Sequence, residues 1–540
     1  MANSQINVLE NVKAGGVLEH TGQLSEQYTT ICDINLRKIK GQFFTPDKVS
    51  RFMANLFEIK QDTIRLLDPG AGTGMLIAAF CENLLNLGVK NIYLTVDAYE
   101  NDSGVLSVLK DVLEDCKKRL INAGNEFQYN IYQEDFILYN ERYLEKPNLF
   151  WANSKNNNVL YDFVICNPPY YKLNKSSSQS IAMSEIVSGQ PNIYALFMAL
   201  SAHMLDTGGE MVFITPRSFC SGLYYKKFRE WILKNVKVTN IHIFESRKDV
   251  FDKDNVLQEN VIIKLKKTDK NDRITVTSSE TKSFDNTKKI TVPYDNAIYH
   301  KNGDTFIRIP TTLLDLEILH TIDTWPKTLK ELGLEISTGP VVPFRAEKHL
   351  ISKLTEKQEA PLIWMHNLQN TKVVYPLKKS GKQEAIRICD ETKSLLLPLK
   401  NYVLLKRFSS KEQKKRLYAA VLLESEFPYK TIGLENHVNY IHKPNGTLSV
   451  YEVLGIAAIL NTNIVDSFFR TFNGNTQVNA TDIRSLPLPS IEDIIKIGKM
   501  VCKIKPQNEH DLDRIVGEVL NISPKIIKNK NGRKNLKCLK

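Results

Sequence analysis

Residues 63–80, TIRLLDPGAGTGMLIAAF, decide how the chain is read. An apolar run ends on Asp68, glycines follow at positions 70, 72 and 74, and a second apolar run starts at Met75. The first run has the length and residue types of a buried strand; the second continues at helical spacing and stops at Gly88. A strand turning directly into a helix is half of a βαβ unit. Glycines at such a turn permit positive φ and let a ligand approach the backbone closely. The spacing is GxGxG, not the dinucleotide pattern GxGxxG, and an acid before the loop would repel a pyrophosphate. The turn therefore suits a ligand carrying an ammonium or sulfonium group, or serves only as a bend.

Working outward, strands and helices keep alternating. NIYLTVDAYE (91–100) reads as a strand, GVLSVLKDVLEDCKKRL (104–120) as a helix and NIYQEDF (130–136) as a short strand. YDFVICNPPY (161–170), the helix NIYALFMALSAHML (192–205) and the strand EMVFITP (210–216) follow. This order predicts an α/β fold with a mainly parallel sheet, whose ligand lies beyond the carboxyl ends of the strands. Acids stand at those ends. Glu100 is positioned to accept both hydroxyls of a ribose; Asp135 can accept an adenine amino hydrogen while the Phe136 ring lies against the base. Asp68, Glu100 and Asp135 together describe a pocket for an adenosine with a positively charged tail, which S-adenosylmethionine fits better than NAD or ATP. Upstream, GQFFTP (41–46) offers Thr45 as the cap of a helix beginning at Pro46, with an apolar face of Val49, Phe52, Met53, Leu56 and Phe57. The same hexapeptide is placed to wrap the methionine end of the cofactor.

The strand 161–166 stops at Asn167-Pro168-Pro169-Tyr170. An exocyclic amino group on a base is a poor nucleophile because its lone pair is delocalised into the ring. Two acceptors on its hydrogens, the Asn167 side-chain oxygen and the Pro168 carbonyl, would draw the nitrogen toward tetrahedral geometry. The prolines fix φ and restrict the residue before each, so the acceptors are held in place. Tyr170 offers a face on which a flipped base can stack. No strong base is required, since the proton can leave after transfer. The bland alternative is a turn that ends a strand.

In this order the motifs GQFFTP, DPGAGTG, AYEND, EDF, CNPPY, GGEMVFITP and VFDKDNVLQENVIIKL resemble the catalytic domain of the gamma-class N6-adenine DNA methyltransferases of restriction–modification systems, the Eco57I-like methylases. The resemblance implies a Rossmann-like domain that binds S-adenosylmethionine through Thr45, Asp68, Gly70, Gly72, Glu100, Asp135 and Phe136. It implies that Asn167, Pro168, Pro169 and Tyr170 hold the target adenine, with Phe251 stacked on it and Phe244 as the competing aromatic. ISTGPVVPFR (336–345), PLIWMHNL (361–368) and FNGNTQVNATDIRSLPLPS (472–490) resemble the family's target-recognition regions. The expected organisation is an N-terminal extension (1–40), a catalytic domain (41–268), a connecting region (269–310), a mixed α+β target-recognition domain (311–523) and a basic tail (524–540).

Charge bears on the partner. The net charge is +12 with pI near 9.0, which favours a polyanion such as double-stranded DNA. LLKRFSSKEQKKRLY (404–418) is a candidate phosphate-facing surface, with Lys406, Arg407, Lys411, Lys414, Lys415 and Arg416, or else a solvated helix. Arg345, Asn475 and Gln477 are nominated as base-edge readers. The helix EVLGIAAILNTNIVDSFFRTF is read as core. Eight scattered cysteines without a CxxC pair indicate reduced thiols in a cytoplasmic protein, with no metal expected. No secretory signal or membrane span is read. With GQFFTP starting at residue 41, a nuclease domain is not expected, and cleavage would fall to a separate cognate endonuclease. Three alternatives stay open: N4-cytosine methylation, although Ser or Asp more often precedes the prolines there; RNA or protein-glutamine methylation through the same NPPY chemistry; and a non-catalytic DNA-binding specificity protein.

Overall fold

The computed structural model describes residues 16–31, 44–144, 159–245, 259–301, 303–354, 358–377, 379, 381–409, 413–474, 477–506 and 508–528. Two compact units divide the chain at Thr311/Thr312.

The first unit is built on a nine-stranded sheet of β1 (Thr63–Asp68), β2 (Tyr93–Tyr99), β3 (Glu126–Tyr132), β4 (Tyr161–Cys166), β5 (Leu205–Pro216), β6 (Lys237–Phe244), β7 (Asn260–Lys266), β8 (Arg273–Ser279) and β9 (Lys288–Pro293), in the order 3-2-1-4-5-7-6-8-9. β3, β2, β1, β4 and β5 run parallel, and β7 enters antiparallel between β5 and β6. Helices α1 (Val17–Ile31), α2 (Asp47–Ala54), α3 (Met75–Leu87), α4 (Leu106–Asn122), α5 (Ile193–Met204) and α6 (Lys226–Asn235) are its longer helices, and Ile298–Lys301 and Asp304–Ile307 form a separate hairpin. The α/β expectation is met. The carboxyl ends of β1 and β4 are buried, carrying Leu66-Leu67 and Phe163-Val164-Ile165 into the core. Phe57, Phe80 and Phe163 pack edge-on and tilted around them, with ring centroids 5.0–5.6 Å apart. Because β2 and β3 extend from one side of β1 while β4 and β5 extend from the other, the strand order reverses between β1 and β4. A crevice forms at such a switch point, beyond the carboxyl ends of the two strands. Asp68 and Asn167 follow from that arrangement as neighbours.

Several local readings change. The helix α2 begins at Asp47; Pro46, with extended ψ and no donor or side-chain acceptor to offer, occupies the cap position. Thr45 does not cap the helix, and its hydroxyl is used elsewhere. The strand expected at 130–136 begins at Glu126, because seven residues of β2 pair with it in register. The stretch 269–310, expected as a connecting region, supplies β8 and β9, with Ile274, Val276 and Val292 fully buried. Its Lys, Ser and Thr content hid a period-two pattern whose polar face is the solvated one. Within the expected N-terminal extension, α1 packs on α3 and α4. Near the sheet's middle, the Lys264 ammonium lies 2.9 Å from Glu210 Oε2, both side chains almost wholly buried, and donates to the Leu56 carbonyl at 2.8 Å. The pair ties the end of α2 to β5 and β7. Glu210 is also paired with Lys266 at 3.1 Å, so the larger cost, about 3–5 kcal/mol, attends removal of Glu210, which deprives the buried Lys264 ammonium of its close carboxylate.

The second unit holds two smaller sheets and a helical layer. One sheet orders the strands 335–338, 438–442, 402–406, 419–422, 372–373 and 368–369; the other orders 350–351, 385–387, 359–363, 431–434 and 396–398. Apolar residues of both sheets, among them Leu404, Ile432 and Leu434, form one core. A second core joins Val403, Leu405 and Ile441 to α7 (Leu313–Asp323), α8 (Val450–Leu460), α9 (Asn463–Phe472), α10 (Ile491–Ile504) and α11 (Glu509–Val519). The apolar pair α8 and α9, bent by 60°, is this core's centre. Among the described residues no single helix is long and apolar enough to cross a membrane.

Candidate functional site

The crevice at the β1/β4 switch gathers most of the residues singled out in the first half. Asp68 ends β1 with its carboxyl wholly buried. Oδ1 accepts the Gly70 N–H at 3.1 Å, while Oδ2 has no hydrogen-bond partner among the described residues. Burial raises its pKa to about 8 despite the Gly70 bond, and the nearby Glu100 carboxylate pushes the same way. Glu100, just beyond β2, accepts the N–H of Gly72 at 3.0 Å and of Asp102 at 2.8 Å, so it braces the glycine loop. Gly72 has φ +53°, and a Cβ there would stand 3.3 Å from the Phe44 ring. A Cβ on Gly70 would face Phe197, Cys166 and the Asn167 carbonyl at 3.6–3.9 Å. The loop thus lines the crevice with backbone.

At the third strand, Asp135 caps the short helix Phe136–Tyr139: Oδ1 accepts the Ile137 and Leu138 N–H groups, each at 3.0 Å. Its Oδ2 accepts from Gln179 Nε2 at 2.9 Å. Phe136 is buried against Tyr99 and Phe197, with ring centroids 5.1 and 5.2 Å away.

Asn167 follows β4 and stays partly exposed, with Pro168 buried beside it. Its Nδ2 donates to Thr45 Oγ1 at 3.0 Å, which is where the Thr45 hydroxyl goes instead of capping α2. Its Oδ1 lies 2.7 Å from the Tyr170 hydroxyl, which is also 2.8 Å from the Ile214 carbonyl. The Asn167 amide is therefore clamped from both sides. Tyr170 is only 8% exposed, stands edge-on to Tyr194 and, being buried, holds its proton well above the usual phenol range. Little of its face is open, so positioning Asn167 is the role its contacts display. Phe251 lies outside the described residues; Phe244, its competitor, is a buried core ring against His242 and Phe284.

Sequence reading missed three contributors here. Ser25 on α1 donates to Thr73 Oγ1 of the glycine loop at 2.7 Å, Phe197 on α5 floors the crevice, and Gln179 holds Asp135. Only Phe197 carried a signal, its place on a strongly apolar helix.

The second-half candidates separate. Arg416 is 1% exposed; Nε donates to Ser409 Oγ at 3.1 Å and Nη2 to Asn473 Oδ1 at 2.8 Å. Lys415 is also buried and donates to the Asn461 carbonyl. Neither faces a phosphate, and 413–418 is not helical: it links two strands of a sheet, and its two long cations satisfy buried acceptors of the helical layer. Lys414 is exposed and paired with Glu509 at 3.0 Å. Lys406 is half-buried with its ammonium 4.9 Å from the Tyr418 ring centre. Arg407 Nη1 donates to the Asn436 carbonyl at 3.0 Å. Arg345 is exposed, stacked near Phe344, and Gln477 pairs with Phe408 across a single β-bridge. Asn475 and Lys411 lie outside the described residues.

Comparison with known proteins places the chain. A profile of the Eco57I restriction-modification methylase family matches residues 79–251. Type II methyltransferase M.PstI of Providencia stuartii is 34% identical over 92% of this chain and 96% of its own length. M.BsuBI of Bacillus subtilis is 35% identical over 89% of this chain and 94% of its own. Among solved structures, the type IIL restriction-modification enzyme MmeI in complex with DNA superposes with a TM-score of 0.52, covering 94% of this chain and 74% of that one at 11% identity, a likeness of fold.

Proposed function

Since the chain belongs to the S-adenosylmethionine-dependent type II DNA methyltransferases of restriction–modification systems, we infer that it methylates N6 of adenine within a specific double-stranded DNA sequence. It thereby protects that DNA from a separate cognate endonuclease. The observation that carries this reading is the clamp on Asn167, with Thr45 on its amide nitrogen and Tyr170 on its amide oxygen.

The crevice fits the cofactor. Oδ2 of Asp68, without a hydrogen-bond partner among the described residues, is a buried acceptor to which the ammonium of the methionine moiety would donate. Glu100 would hold the ribose hydroxyls, Phe136 the adenine face and Asp135 Oδ2 its amino group, while Gly70 and Gly72 leave room for the backbone to line the pocket. When bound, S-adenosylmethionine supplies an electrophilic methyl group on its sulfonium.

Against that methyl, Asn167 Oδ1 and the Pro168 carbonyl accept the two hydrogens of a flipped adenine's amino group. Acceptance directs the nitrogen lone pair outward, so the chain catalyses by positioning and by hydrogen bonds that strengthen as positive charge develops on nitrogen. Tyr170 and Thr45 keep the Asn167 amide from turning. The proton departs to solvent after transfer, because an amide cannot accept it.

The test is methyl transfer from labelled S-adenosylmethionine to mixed-sequence duplex DNA, with digestion to nucleosides. Label in N6-methyladenine is expected, and its loss on Asn167→Ala. Label in N4-methylcytosine would correct the base, and label only in RNA or protein would overturn the substrate. Pairing with an endonuclease is tested by co-expression: DNA from cells carrying the chain resists a nuclease that cuts the same site.

A further inference from the structure

Three second-unit segments nominated from the sequence meet around a turn that was not. Val341 bridges Glu435, its N–H donates to the Leu434 carbonyl at 3.0 Å, and the Asn436 N–H donates back to the Val341 carbonyl at 2.9 Å. That seats the start of the Phe344–Arg345 segment against the turn 435–437. From another side, the Arg407 N–H donates to the His437 carbonyl at 2.9 Å and its guanidinium to the Asn436 carbonyl at 3.0 Å. Phe408, edge-on to the His437 ring at 4.7 Å, brings in Gln477 through its bridge. Arg407, Gln477 and the approach to Arg345 are thus gathered by Glu435, Asn436 and His437.

Among the described residues, the turn itself holds acceptors without donors. Glu435 is 1% exposed; its Oε2 accepts the His437 N–H at 3.1 Å, but Oε1, only 2.7 Å from His437 Nδ1, is out of hydrogen-bond alignment and has no partner among the described residues. Asn436 Oδ1 is likewise buried without a donor. The His437 side chain is 45% exposed, and with Nδ1 turned toward the carboxyl, Nε2 is left for an outside partner. Once such a histidine donates to the buried acid behind it, one ring nitrogen is committed and the other is fixed in direction. Surrounded by Arg407, Lys382 and the ring's own apolar neighbours, it is a directional hydrogen-bonding group in a basic setting.

The geometry points to His437 as a base-reading residue of DNA recognition, with Glu435 as the residue that positions it. A small rotation aligning Nδ1 with Oε1 satisfies the acid and aims Nε2 at a base edge in the major groove, beside phosphate contacts from Arg407 and Arg345. This rests on the reading of the chain as a site-specific DNA methyltransferase.

The experiment uses the full chain. The methylated sequence is first found by sequencing modified mixed-sequence DNA; kcat/KM is then measured on duplexes with one base pair replaced at a time. His437→Ala is expected to lose discrimination at one base-pair position by about 5- to 150-fold while keeping it elsewhere. Glu435→Gln is expected to lose part of the discrimination at that same position, and the double variant no more than His437→Ala alone. Unchanged discrimination at every position in His437→Ala overturns the proposal. A lowered Tm with intact discrimination in Glu435→Gln removes Glu435 from it. If the unmodified protein transfers no label to any duplex, the underlying reading fails before any variant is compared, and this assignment falls with it.

Discussion

The acids of the first unit and the basic residues of the second unit are equally conspicuous in the sequence, yet the fold uses them in opposite ways. Asp68 ends β1, and Glu100 and Asp135 follow β2 and β3, all at the carboxyl edge of the parallel strands, where one Asp68 oxygen has no hydrogen-bond partner among the described residues. Lys415 and Arg416, from the densest basic run in the chain, turn inward and bind Asn461, Ser409 and Asn473. The difference lies in what determines position. In a parallel sheet, a residue just after a strand has only one place to be, at the carboxyl edge. A cation in an irregular link between antiparallel strands is free to serve solvent, ligand or core, and its charge does not say which.

The sharpest way to break that contrast is at Asn167. Asn167→Ala removes the side-chain acceptor that Thr45 and Tyr170 hold in place. The expected loss in methyl transfer is about 10²–10³-fold, by analogy with removal of one preorganised charge-stabilising group, with S-adenosylmethionine affinity changed little by comparison. Initial rates and calorimetric titration separate the two. A near-normal rate would mean that the strand-end geometry does not govern the chemistry.

Next in size is Arg416→Ala. Loss of the guanidinium deprives the buried Asn473 Oδ1 and Ser409 Oγ of a donor, so a loss of about 2–4 kcal/mol in unfolding free energy is expected, read by denaturant titration. An unchanged midpoint accompanied by weakened DNA binding would restore Arg416 to the phosphate-facing role its sequence context suggests.

These contrasts explain what is legible in the sequence. Strand order, the glycine turn and the identity of the crevice residues can be read because apolar runs of period two and 3.6 alternate cleanly over residues 63–216. Tyr170 is legible as a participant but not as a clamp, since only the fold brings the Ile214 carbonyl and Asn167 Oδ1 to its hydroxyl. Thr45 reads as a helix cap, but Pro46 takes that position and frees its hydroxyl for Asn167, 122 residues away. β8 and β9 are hidden because the edge strand β9 and its neighbour β8 carry polar faces. The turn 435–437 carries no signal: short, irregular segments acquire their meaning from partners far away in sequence.

The comparison can be sharpened at Asp68 by pH. The apo carboxyl, buried and beside Glu100, keeps its proton up to about pH 8. A cationic methionine end favours the carboxylate, so binding releases a proton and affinity rises with pH, by at most about tenfold per unit, until it levels near pH 8. Folding shows the opposite sign: a folded pKa raised above 3.8 means proton uptake on folding, so this residue's contribution to stability is full below about pH 4 and declines as pH rises toward 8. Calorimetry between pH 6 and 9 checks the first; thermal unfolding checks the second. Asp68→Asn should flatten both profiles, and a pH-dependence that survives it would assign the titration to another group.

The smallest expected effect falls on Lys414, the one nominated cation of 413–418 whose side chain remains largely exposed, at 72%. Its pair with Glu509 is a surface contact, worth little to stability, so Lys414→Ala should leave the unfolding midpoint within about 0.5 kcal/mol. If Lys414 exchanges Glu509 for a phosphate, the variant weakens binding to all duplexes alike and reduces the magnitude of the logarithmic salt slope by about one. That outcome would divide one short stretch between two duties, Lys415 and Arg416 holding the core while Lys414 holds DNA. An unchanged slope would instead place Lys414 with its neighbours as an internal tie, and would shift the search for phosphate contacts to Arg345 and Arg407, beside the turn that carries His437.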